Sequence, residues 1–255
     1  MISVCMATYN GERWVGRQLE TILPQLAADD ELVVSDDAST DGTVALVEAL
    51  VDPRVRLLTG RSFRSPVRNF EQALEHARGD LVVLSDQDDV WLPNKLEAVR
   101  AAFADPPRRP YLVVFDAAVV DEEERLVHPS VLAKLKAGPG LGKNLWTNRY
   151  LGCCMAFTAD LLDAALPIPR RMPMHDMWLG QLCERIGGTA FLPERTMLYR
   201  RHDETTTGFE IEFRPLLQIR RRVDLAAALA ARTLAYRRAR SRGPSLPERR
   251  SRQPS

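Results

Sequence analysis

Carboxylate side chains follow two short apolar runs in the N-terminal half of this sequence. Asp36 and Asp37 follow one run, and the segment DQDD at 86–89 follows another. Carboxylates that face one cleft repel one another unless a cation joins them. Mg²⁺ and Mn²⁺ favour oxygen ligands and commonly bridge carboxylates to ligand phosphates. The pattern therefore predicts a site for Mg²⁺ or Mn²⁺. A turn or cap role is an equal alternative for Asp36 or Asp41 alone, but it explains the segment 86–89 poorly.

A histidine–aspartate pair, His175 and Asp176, begins a predicted helix in the C-terminal half. A helix N-terminus favours the ionised form of a carboxylate, so we expect a lowered pKa for Asp176. An ionised carboxylate can act as a general base toward a hydroxyl group. The alternative role for Asp176 is a simple helix cap, and the pattern favours an orienting or structural role for His175.

Short apolar runs that alternate with amphipathic segments position these residues in the first half. The predicted strands are residues 2–7, 31–35, 55–58 and 81–84, and the predicted helices are residues 13–26, 41–50, 66–77 and 93–103. Strands that are apolar throughout and separated by helices indicate a parallel sheet covered on both faces. Ligands of such sheets bind at the carboxyl ends of the strands, where the acidic segments lie. None of these segments reads GxGxxG, so a nicotinamide-binding domain is not predicted.

The second half has a less regular pattern. Strands are predicted at residues 111–115, 155–158, 189–192 and 196–200, and helices at residues 175–186 and 213–240. Residues 128–149 show no clear period and are predicted to be mainly loop. Residues 241–255 are rich in Arg, Pro and Ser and are predicted to be disordered.

The composition bounds the class of protein. The 255 residues are 45% hydrophobic, enough for a sizeable core, and a net charge of +1 excludes a uniformly basic nucleic-acid binder. Residues 213–255 carry 12 Arg and 2 acidic residues, so this segment has a charge of +10 and the remainder −9. No apolar run approaches the roughly 18–20 residues that span a bilayer, and the four cysteines lack zinc-ligand spacing. These features predict a reduced, cytoplasmic chain with an acidic body and a basic tail.

Three motifs, taken in order, carry a resemblance to a known family. They are Thr8-Tyr9-Asn10, the segment DDASTDGT at 36–43 and the segment SDQDDVW at 85–91. Together they resemble the family 2 glycosyltransferases, which have the GT-A fold. The SDQDDVW form and HDMWL at 175–179 are similar to the branch often labelled rhamnosyltransferase-like. Also similar are GC at 152–153 and YRRH at 199–202, which is followed by TTG at 206–208.

The resemblance implies an α/β chain with the GT-A fold, a Rossmann-like nucleotide-diphospho-sugar transferase architecture. Its sheet would be mixed and mainly parallel with helices on both faces, plus a C-terminal helical extension. The implied domain covers residues 1–212, with a nucleotide-binding half at 1–105 and an acceptor-side half at 106–212. Residues 213–240 would form the basic helical extension and residues 241–255 the disordered tail.

The resemblance also implies roles for single residues. Tyr9 would stack on the nucleotide base, and Asp37 would accept a hydrogen bond from a pyrimidine imide N–H. Asp176 matches the catalytic base. The implied nucleotide-binding set is Thr8, Tyr9, Asn10, Glu12, Asp37, Asp86 and Asp88, and the implied metal-binding set is Asp88, Asp89 and His202. Two alignments of the family's Asp-x-Asp motif fit, so either Asp88 or Asp89 is the main metal ligand.

The activity that the resemblance implies is inverting, metal-dependent transfer of a sugar to an acceptor hydroxyl in bacterial polysaccharide or glycoconjugate assembly. The implied donor is dTDP-L-rhamnose or a UDP-sugar, and the implied acceptor is a saccharide or lipid-linked saccharide. One alternative is a sugar-nucleotide-forming nucleotidyltransferase, which would normally show a Gly-rich, basic phosphate loop after the first strand. Another is a non-catalytic sugar-nucleotide-binding protein.

The basic helix at 213–240 adds an expectation about the membrane. A basic amphipathic helix can hold a cytoplasmic protein against anionic lipid, here at the inner face of the cell membrane. The alternative is that the apolar face of this helix packs on the catalytic domain and its arginines are solvated.

Overall fold

The structure, a computed structural model, describes residues 1–107, 109–202 and 215–241. The strands are β1 (Ile2–Thr8), β2 (Glu31–Asp36), β3 (Val55–Leu58), β4 (Leu81–Asp86), β5 (Val90–Trp91), β6 (Tyr111–Val120), β7 (Leu126–His128), β8 (Met155–Thr158) and β9 (Gly188–Arg200). The helices are α1 (Glu12–Ile22), α2 (Thr43–Glu48), α3 (Pro66–His76), α4 (Lys95–Ala102), α5 (Val131–Leu135), α6 (Leu141–Trp146), α7 (Asp160–Ala165), α8 (His175–Ile186) and α9 (Pro215–Ser241).

The strands form one mixed sheet in the order β3-β2-β1-β4-β8-β6-β9-β5, with β7 paired to β6. β1 runs parallel to β2 and β4, and β2 runs parallel to β3. β8 is antiparallel to both β4 and β6, so it joins the two halves of the sheet. β1 and β2 are buried along almost their whole lengths, as continuous apolar strands covered on both faces must be. Both predicted halves of the chain contribute strands to this one sheet. Their division into a nucleotide-binding and an acceptor-side half at residue 105 stays a prediction.

The carboxyl ends of β1, β2 and β4 meet at one edge of the sheet. In the register of these strands Thr8 pairs with Asp36, and Ala7 pairs with Asp86. The strands predicted in this half are confirmed, with ends that differ by one or two residues. β5 lies directly after the acidic segment 86–89 and is not in the predicted set. Its pairing with β9, Val90 opposite Leu198, brings the end of β9 beside that segment.

Residues 128–149, predicted to be mainly loop, contain the short helices α5 and α6. Ser130 accepts the N–H of Ala133 at the start of α5 over 3.0 Å, and Asn144 of α6 donates to Glu184 of α8 over 3.0 Å. Helices this short are unstable alone. Capping and tertiary contacts of this kind stabilise short helices without producing a periodic pattern in the sequence. The prediction that residues 128–149 are mainly loop was therefore wrong over α5 and α6. The short helix α7 was not predicted either.

The strands predicted at 189–192 and 196–200 are one strand, β9. Leu192 pairs with Phe115 and Arg195 with Asp116 of β6, so Pro193 and its neighbour are passed over in the ladder. Proline has no N–H to give to a ladder and is tolerated at such irregularities. The bulge therefore joins two runs that the sequence pattern separates.

The long helix predicted at 213–240 is confirmed as α9 over its described part, Pro215–Ser241. It packs on α8 and α7 through Leu225 and Leu229, which are fully buried. Arg232 donates to the carbonyl groups of Ala164 and Leu166 at the end of α7, over 3.0 and 2.8 Å. Within the described residues, no helix is both long and apolar enough to cross a bilayer. Of the tail predicted at residues 241–255, Ser241 is the last residue of α9, and residues 242–255 lie outside the described residues.

Candidate active site

A cleft of about 820 Å³ opens at the carboxyl ends of β1, β2 and β4. The loops after these strands, the beginnings of α3 and α8 and the end of β9 form its walls. It is lined by most of the residues that the sequence singles out, namely Thr8, Tyr9, Asn10, Asp37, Asp86, Asp88, Asp176 and His202. Glu12 and Asp89 are not among the described residues that line it.

Asn10 and Glu12 join the loop after β1 to the loop after β2. The side-chain oxygen of Asn10 accepts the N–H of Thr40 over 2.9 Å, and the carboxylate of Glu12 accepts the N–H of Gly42 over 2.8 Å. These contacts fix the loops against each other. The carboxylate of Glu12 is thus engaged by backbone outside the cleft.

Tyr9 presents its ring at the mouth of the cleft, with 56% of the residue exposed. Gln87, from the loop after β4, accepts the N–H of Tyr9 over 2.8 Å and donates to its carbonyl oxygen over 3.0 Å. The backbone of Tyr9 is therefore held in place while its ring stays free to contact a ligand. A role for Gln87 was not predicted, because nothing in the sequence spacing pairs residues 9 and 87.

Asp37 is buried and accepts hydrogen bonds from three successive backbone N–H groups. These belong to Phe63, Arg64 and Ser65, and the last two bonds measure 3.1 and 3.0 Å. The carboxylate of Asp37 thus fixes the loop before α3, whose residues Arg64 and Ser65 also line the cleft. Its implied contact with a pyrimidine stays a prediction.

Asp88 and His202 lie together on the wall of the cleft. The Nε2 atom of His202 is 2.8 Å from Oδ2 of Asp88. The imidazole of His202 stacks on the indole ring of Trp14, with 5.1 Å between the ring centroids. Arg200 donates from Nε to the carbonyl oxygen of Asp88 over 2.9 Å. Arg200 at the end of β9 therefore fixes the backbone of Asp88, and His202, two residues beyond the strand, fixes its side chain.

Asp89, the next residue, points into the protein. It is 1% exposed, and its Oδ1 accepts the N–H of Arg200 over 3.1 Å. Its Oδ2 is buried without a hydrogen-bond partner among the described residues. Burial raises the pKa of Asp89 well above its usual value, and the charges of Asp88 and Asp86 add to this rise. Burial also raises the pKa of Asp86, to about 7, and the charges of Asp88 and Asp176 contribute to this rise.

A buried lysine, Lys95 of α4, lies behind the acidic segment. Its Nζ donates to the carbonyl oxygen of Cys153 over 2.8 Å and lies 4.9 Å from the centre of the Trp91 ring. Burial lowers the pKa of Lys95, whereas the charges of Asp89 and Asp86 act in the opposite direction. The amino group of Lys95 is therefore held in a fixed place behind this segment.

Two groups of side chains could hold a metal ion. Asp88 and His202 offer oxygen and nitrogen donors inside the cleft, a set that suits Mn²⁺ or Mg²⁺. Behind them, ligand atoms of Asp86, Asp89 and Cys153 all lie within 4.8 Å of one another. The cleft group fits the expected metal better, because a thiol is a softer ligand and Lys95 is adjacent to the buried group. The unpartnered Oδ2 of Asp89 is a further candidate oxygen.

Asp176 lies in the first turn of α8 and lines the cleft, although it is only 3% exposed. Burial raises its pKa to about 6, and hydrogen bonds from Met177 N–H and the Asn148 side chain partly oppose this rise. The expected lowering by the helix N-terminus was therefore wrong in direction, because desolvation outweighs it. A carboxyl group of this pKa is ionised at neutral pH and can accept a proton.

His175, beside it, is held by packing. Its ring stacks on Phe70 with 4.0 Å between the centroids. Neither ring nitrogen has a hydrogen-bond partner in the described part of the chain. Burial lowers the pKa of His175 to about 3, so the imidazole is neutral. This agrees with the structural role predicted for it.

A family model described as Glycosyl transferase family 2 matches residues 3–163. Among curated proteins, the chain is 35% identical over 97 residues to a UDP-Glc:alpha-D-GlcNAc-diphosphoundecaprenol beta-1,3-glucosyltransferase, WfgD, of Escherichia coli, over 38% of each chain. It is 35% identical over 99 residues to the dTDP-rhamnosyl transferase RfbG of Shigella flexneri, over 36% of this chain and 34% of that protein. The matched segments thus span less than half of either relative.

Solved structures share the fold at low sequence identity. Staphylococcus aureus TarS 1–349 in complex with UDP aligns with a TM-score of 0.62 and 18% identity, over 91% of this chain and 64% of that one. The mannosyltransferase PcManGT of Pyrobaculum calidifontis, in complex with GDP-Man and Mn²⁺, aligns with a TM-score of 0.61 and 21% identity, over 95% and 75%. The predicted GT-A fold is confirmed.

Proposed function

Because the chain belongs to glycosyl transferase family 2, we propose that it transfers a sugar from a nucleoside diphosphate to an acceptor hydroxyl with inversion. The observation that carries the proposal is that a metal-type pair, Asp88 and His202, and a base-type carboxylate, Asp176, line one cleft. A nucleotidyltransferase is disfavoured because the segment 8–13 after β1, TYNGER, is a poor match to a glycine-rich phosphate loop that carries Arg or Lys. A non-catalytic binding protein would not need an ionisable Asp176 in the cleft.

The nucleotide would occupy the part of the cleft formed by the loops after β1, β2 and β4. Tyr9 offers an exposed ring for stacking on a base, and Thr8 and Asp37 lie behind it. Asp86 and Asp88 would contact ribose or diphosphate, a role supported by their position on the wall of the cleft. Asn10 and Glu12 would act indirectly, since they hold the loop that carries Tyr9.

Asp88 and His202 would hold the divalent metal, Mg²⁺ or Mn²⁺, with Asp89 as the remaining candidate ligand. When bound there, the ion would neutralise charge that develops on the departing diphosphate. The stack of His202 on Trp14 holds the imidazole, and the bond from Arg200 to the carbonyl oxygen of Asp88 holds the backbone that carries the second ligand, before any ligand arrives.

Asp176 would act as the general base. Its carboxylate takes the proton of the acceptor hydroxyl while the acceptor oxygen bonds to the anomeric carbon and the bond from that carbon to the diphosphate oxygen breaks. A single displacement of this kind inverts the anomeric centre and needs one carboxylate. The nucleoside diphosphate leaves with the electron pair of the broken bond.

The sugar and the acceptor follow from the relatives by analogy. RfbG is named a dTDP-rhamnosyl transferase and WfgD a UDP-Glc-dependent enzyme acting on a diphosphoundecaprenol-linked sugar. We propose dTDP-L-rhamnose or a UDP-sugar as donor, and a saccharide or lipid-linked saccharide of polysaccharide assembly as acceptor. The test is release of nucleoside diphosphate from a panel of dTDP- and UDP-sugars with Mn²⁺. If every donor stays intact while dTDP or UDP still binds, the chain binds nucleotides without transferring sugar.

A lipid-linked acceptor would favour a cytoplasmic enzyme that touches the membrane, and α9 has a suitable outer face. On the side opposite Leu225 and Leu229, Ile219, Val223 and Leu234 are 51%, 61% and 50% exposed. This apolar face is flanked at both ends by exposed arginines, namely Arg220, Arg221, Arg237 and Arg238. The helix packs on the domain with one face, and we propose that its basic, apolar outer face contacts anionic lipid, in which case both alternatives would hold.

Co-sedimentation with phosphatidylcholine vesicles, with and without phosphatidylglycerol, tests this contact. We expect binding that needs the anionic lipid, weakens with salt and falls at least tenfold in the double variant Val223→Glu/Leu234→Glu. Leu126→Glu, an exposed leucine on β7, is the matched control. If the double variant binds the vesicles as well as the unmodified protein and Leu126→Glu do, α9 is not the membrane contact.

A further inference from the structure

Asn148 contacts both oxygens of the proposed base. Its Nδ2 lies 3.0 Å from Oδ1 and 3.1 Å from Oδ2 of Asp176. Oδ1 also accepts the N–H of Met177 over 2.6 Å. Each of these donors stabilises the charged carboxylate and restricts rotation of the carboxyl group.

The amide of Asn148 is itself held in a fixed orientation. Its Oδ1 accepts the N–H of Tyr150 over 3.2 Å, so the NH₂ group must face Asp176. The Tyr150 hydroxyl donates to Glu184 of α8 over 2.6 Å. The ring of Tyr150 lies against Gly180, where a Cβ atom would come within 2.3 Å of it.

One face of α8 thus carries both the base and the anchors of the loop. Asp176, Gly180 and Glu184 follow one another at intervals of four residues, which places them on the same side of the helix. Gly180 and Glu184 seat Tyr150, and Tyr150 orients Asn148. The loop at 147–150 is therefore built onto the helix whose first turn holds Asp176.

We propose that Asn148 is a positioning residue that holds the carboxylate of Asp176 in one orientation and stabilises its charged form for proton abstraction. The inference deepens the proposed function and rests on the role of Asp176 as base. A base held in one orientation needs no reorganisation when the acceptor hydroxyl arrives.

Other groups around Asp176 set the background for this effect. Asp86 of β4 contributes like charge, since each carboxylate disfavours ionisation of the other. His175 is neutral because burial lowers its pKa to about 3. Arg222 of α9 reaches Sδ of the adjacent Met177 over 3.1 Å. Asn148 is an uncharged donor, so replacing its side chain changes the hydrogen bonds of the Asp176 carboxylate without changing the net charge around it.

The test is the pKa of Asp176 in the ligand-free protein, measured from the ¹³C shift of its carboxyl carbon and assigned by comparison with Asp176→Asn. We expect Asn148→Ala to raise this pKa by about one unit, and Asn148→Asp to raise it further through like charge. Asn144→Ala is the matched control, because Asn144 supports the same loop through Glu184 without contacting Asp176. It should leave the pKa within about 0.3 units.

A pKa of Asp176 that is unchanged in Asn148→Ala, or that moves equally in Asn144→Ala, would overturn the inference. If Asn144→Ala does not fold, Tyr150→Phe takes its place, since it removes only the hydroxyl contacts with Glu184 and Asn144 and touches neither Asn148 nor Asp176. In turnover, Asn148→Ala should move the acid limb of kcat upward by the same amount and recover to within threefold at pH 9. The NMR measurement does not depend on sugar transfer. If Asn148→Ala changes the pKa of Asp176 but no donor supports transfer, the proposed function is wrong and the positioning role of Asn148 toward Asp176 still stands.

Discussion

Gln87 binds the backbone of Tyr9 through both ends of its amide. Its Oε1 accepts the Tyr9 N–H over 2.8 Å, and its Nε2 donates to the Tyr9 carbonyl oxygen over 3.0 Å. The two residues are separated by 78 positions in the chain. A glutamine within the acidic segment thus fixes the loop that would receive the nucleotide base.

Removal of this clamp should weaken nucleotide binding. We expect Gln87→Ala to raise the dissociation constant of dTDP or UDP about 5- to 20-fold, the loss of one or two hydrogen bonds that order the loop. Isothermal titration calorimetry with Mn²⁺ measures it. Asn94→Ala, which removes an amide that contacts Glu194 and the carbonyl oxygen of Arg195, should change the constant less than twofold. An equal loss there would contradict a specific role for Gln87.

The two neighbouring aspartates should differ in metal affinity. Asp88→Asn and His202→Ala should each weaken Mn²⁺ binding at least 100-fold, because both side chains face the cleft. Asp89→Asn should weaken it less than tenfold, since Asp89 points inward, yet still reduce turnover by disturbing the contact with Arg200. Electron paramagnetic resonance of free Mn²⁺ reports the affinities. A larger loss in Asp89→Asn than in Asp88→Asn would reverse this assignment.

Chelation should stop turnover reversibly. Excess EDTA is expected to abolish release of nucleoside diphosphate, and added Mn²⁺ or Mg²⁺ should restore it, because the acidic cleft otherwise repels the diphosphate. Thermal unfolding in EDTA checks that the fold survives. Full turnover after exhaustive chelation would exclude a metal role.

Turnover should show an acid limb set by Asp176. Burial raises its pKa to about 6, and only the ionised form accepts a proton. Log kcat should therefore be flat above pH 7 and fall with a slope of one below pH about 6. Asp176→Asn should lose transfer at every pH while dTDP affinity stays within threefold. A profile without a limb between pH 5 and 7 would contradict Asp176 as base.

The docking of α9 should contribute to stability. Leu229 is fully buried against the domain, whereas Leu234 on the same helix is 50% exposed. We expect Leu229→Ala to cost about 2–4 kcal/mol of unfolding free energy, and Leu234→Ala less than about 0.5 kcal/mol. Urea unfolding measures both. Equal, small effects would mean that the helix does not pack on the domain.

The sequence by itself determined the strands and helices of the first half and the edge where the acidic residues meet. Periodicity and turn residues are local signals, and parallel strands bring their carboxyl ends together wherever such segments alternate. The motif order also indicated the family and most of the residues that line the cleft. The sequence pattern did not predict the short helices α5 and α6, because their stability comes from tertiary contacts such as that of Asn144 with Glu184.

Only the tertiary structure decided how these residues face one another. The pairing of β5 with β9 turns Asp88 toward His202 and Asp89 toward the backbone of Arg200, a distinction that adjacent identical residues cannot carry. Burial, not the helix N-terminus, sets the pKa of Asp176, because desolvation depends on what covers the carboxylate. Gln87 and Asn148 act across long stretches of chain, and such contacts exist only once the elements have packed.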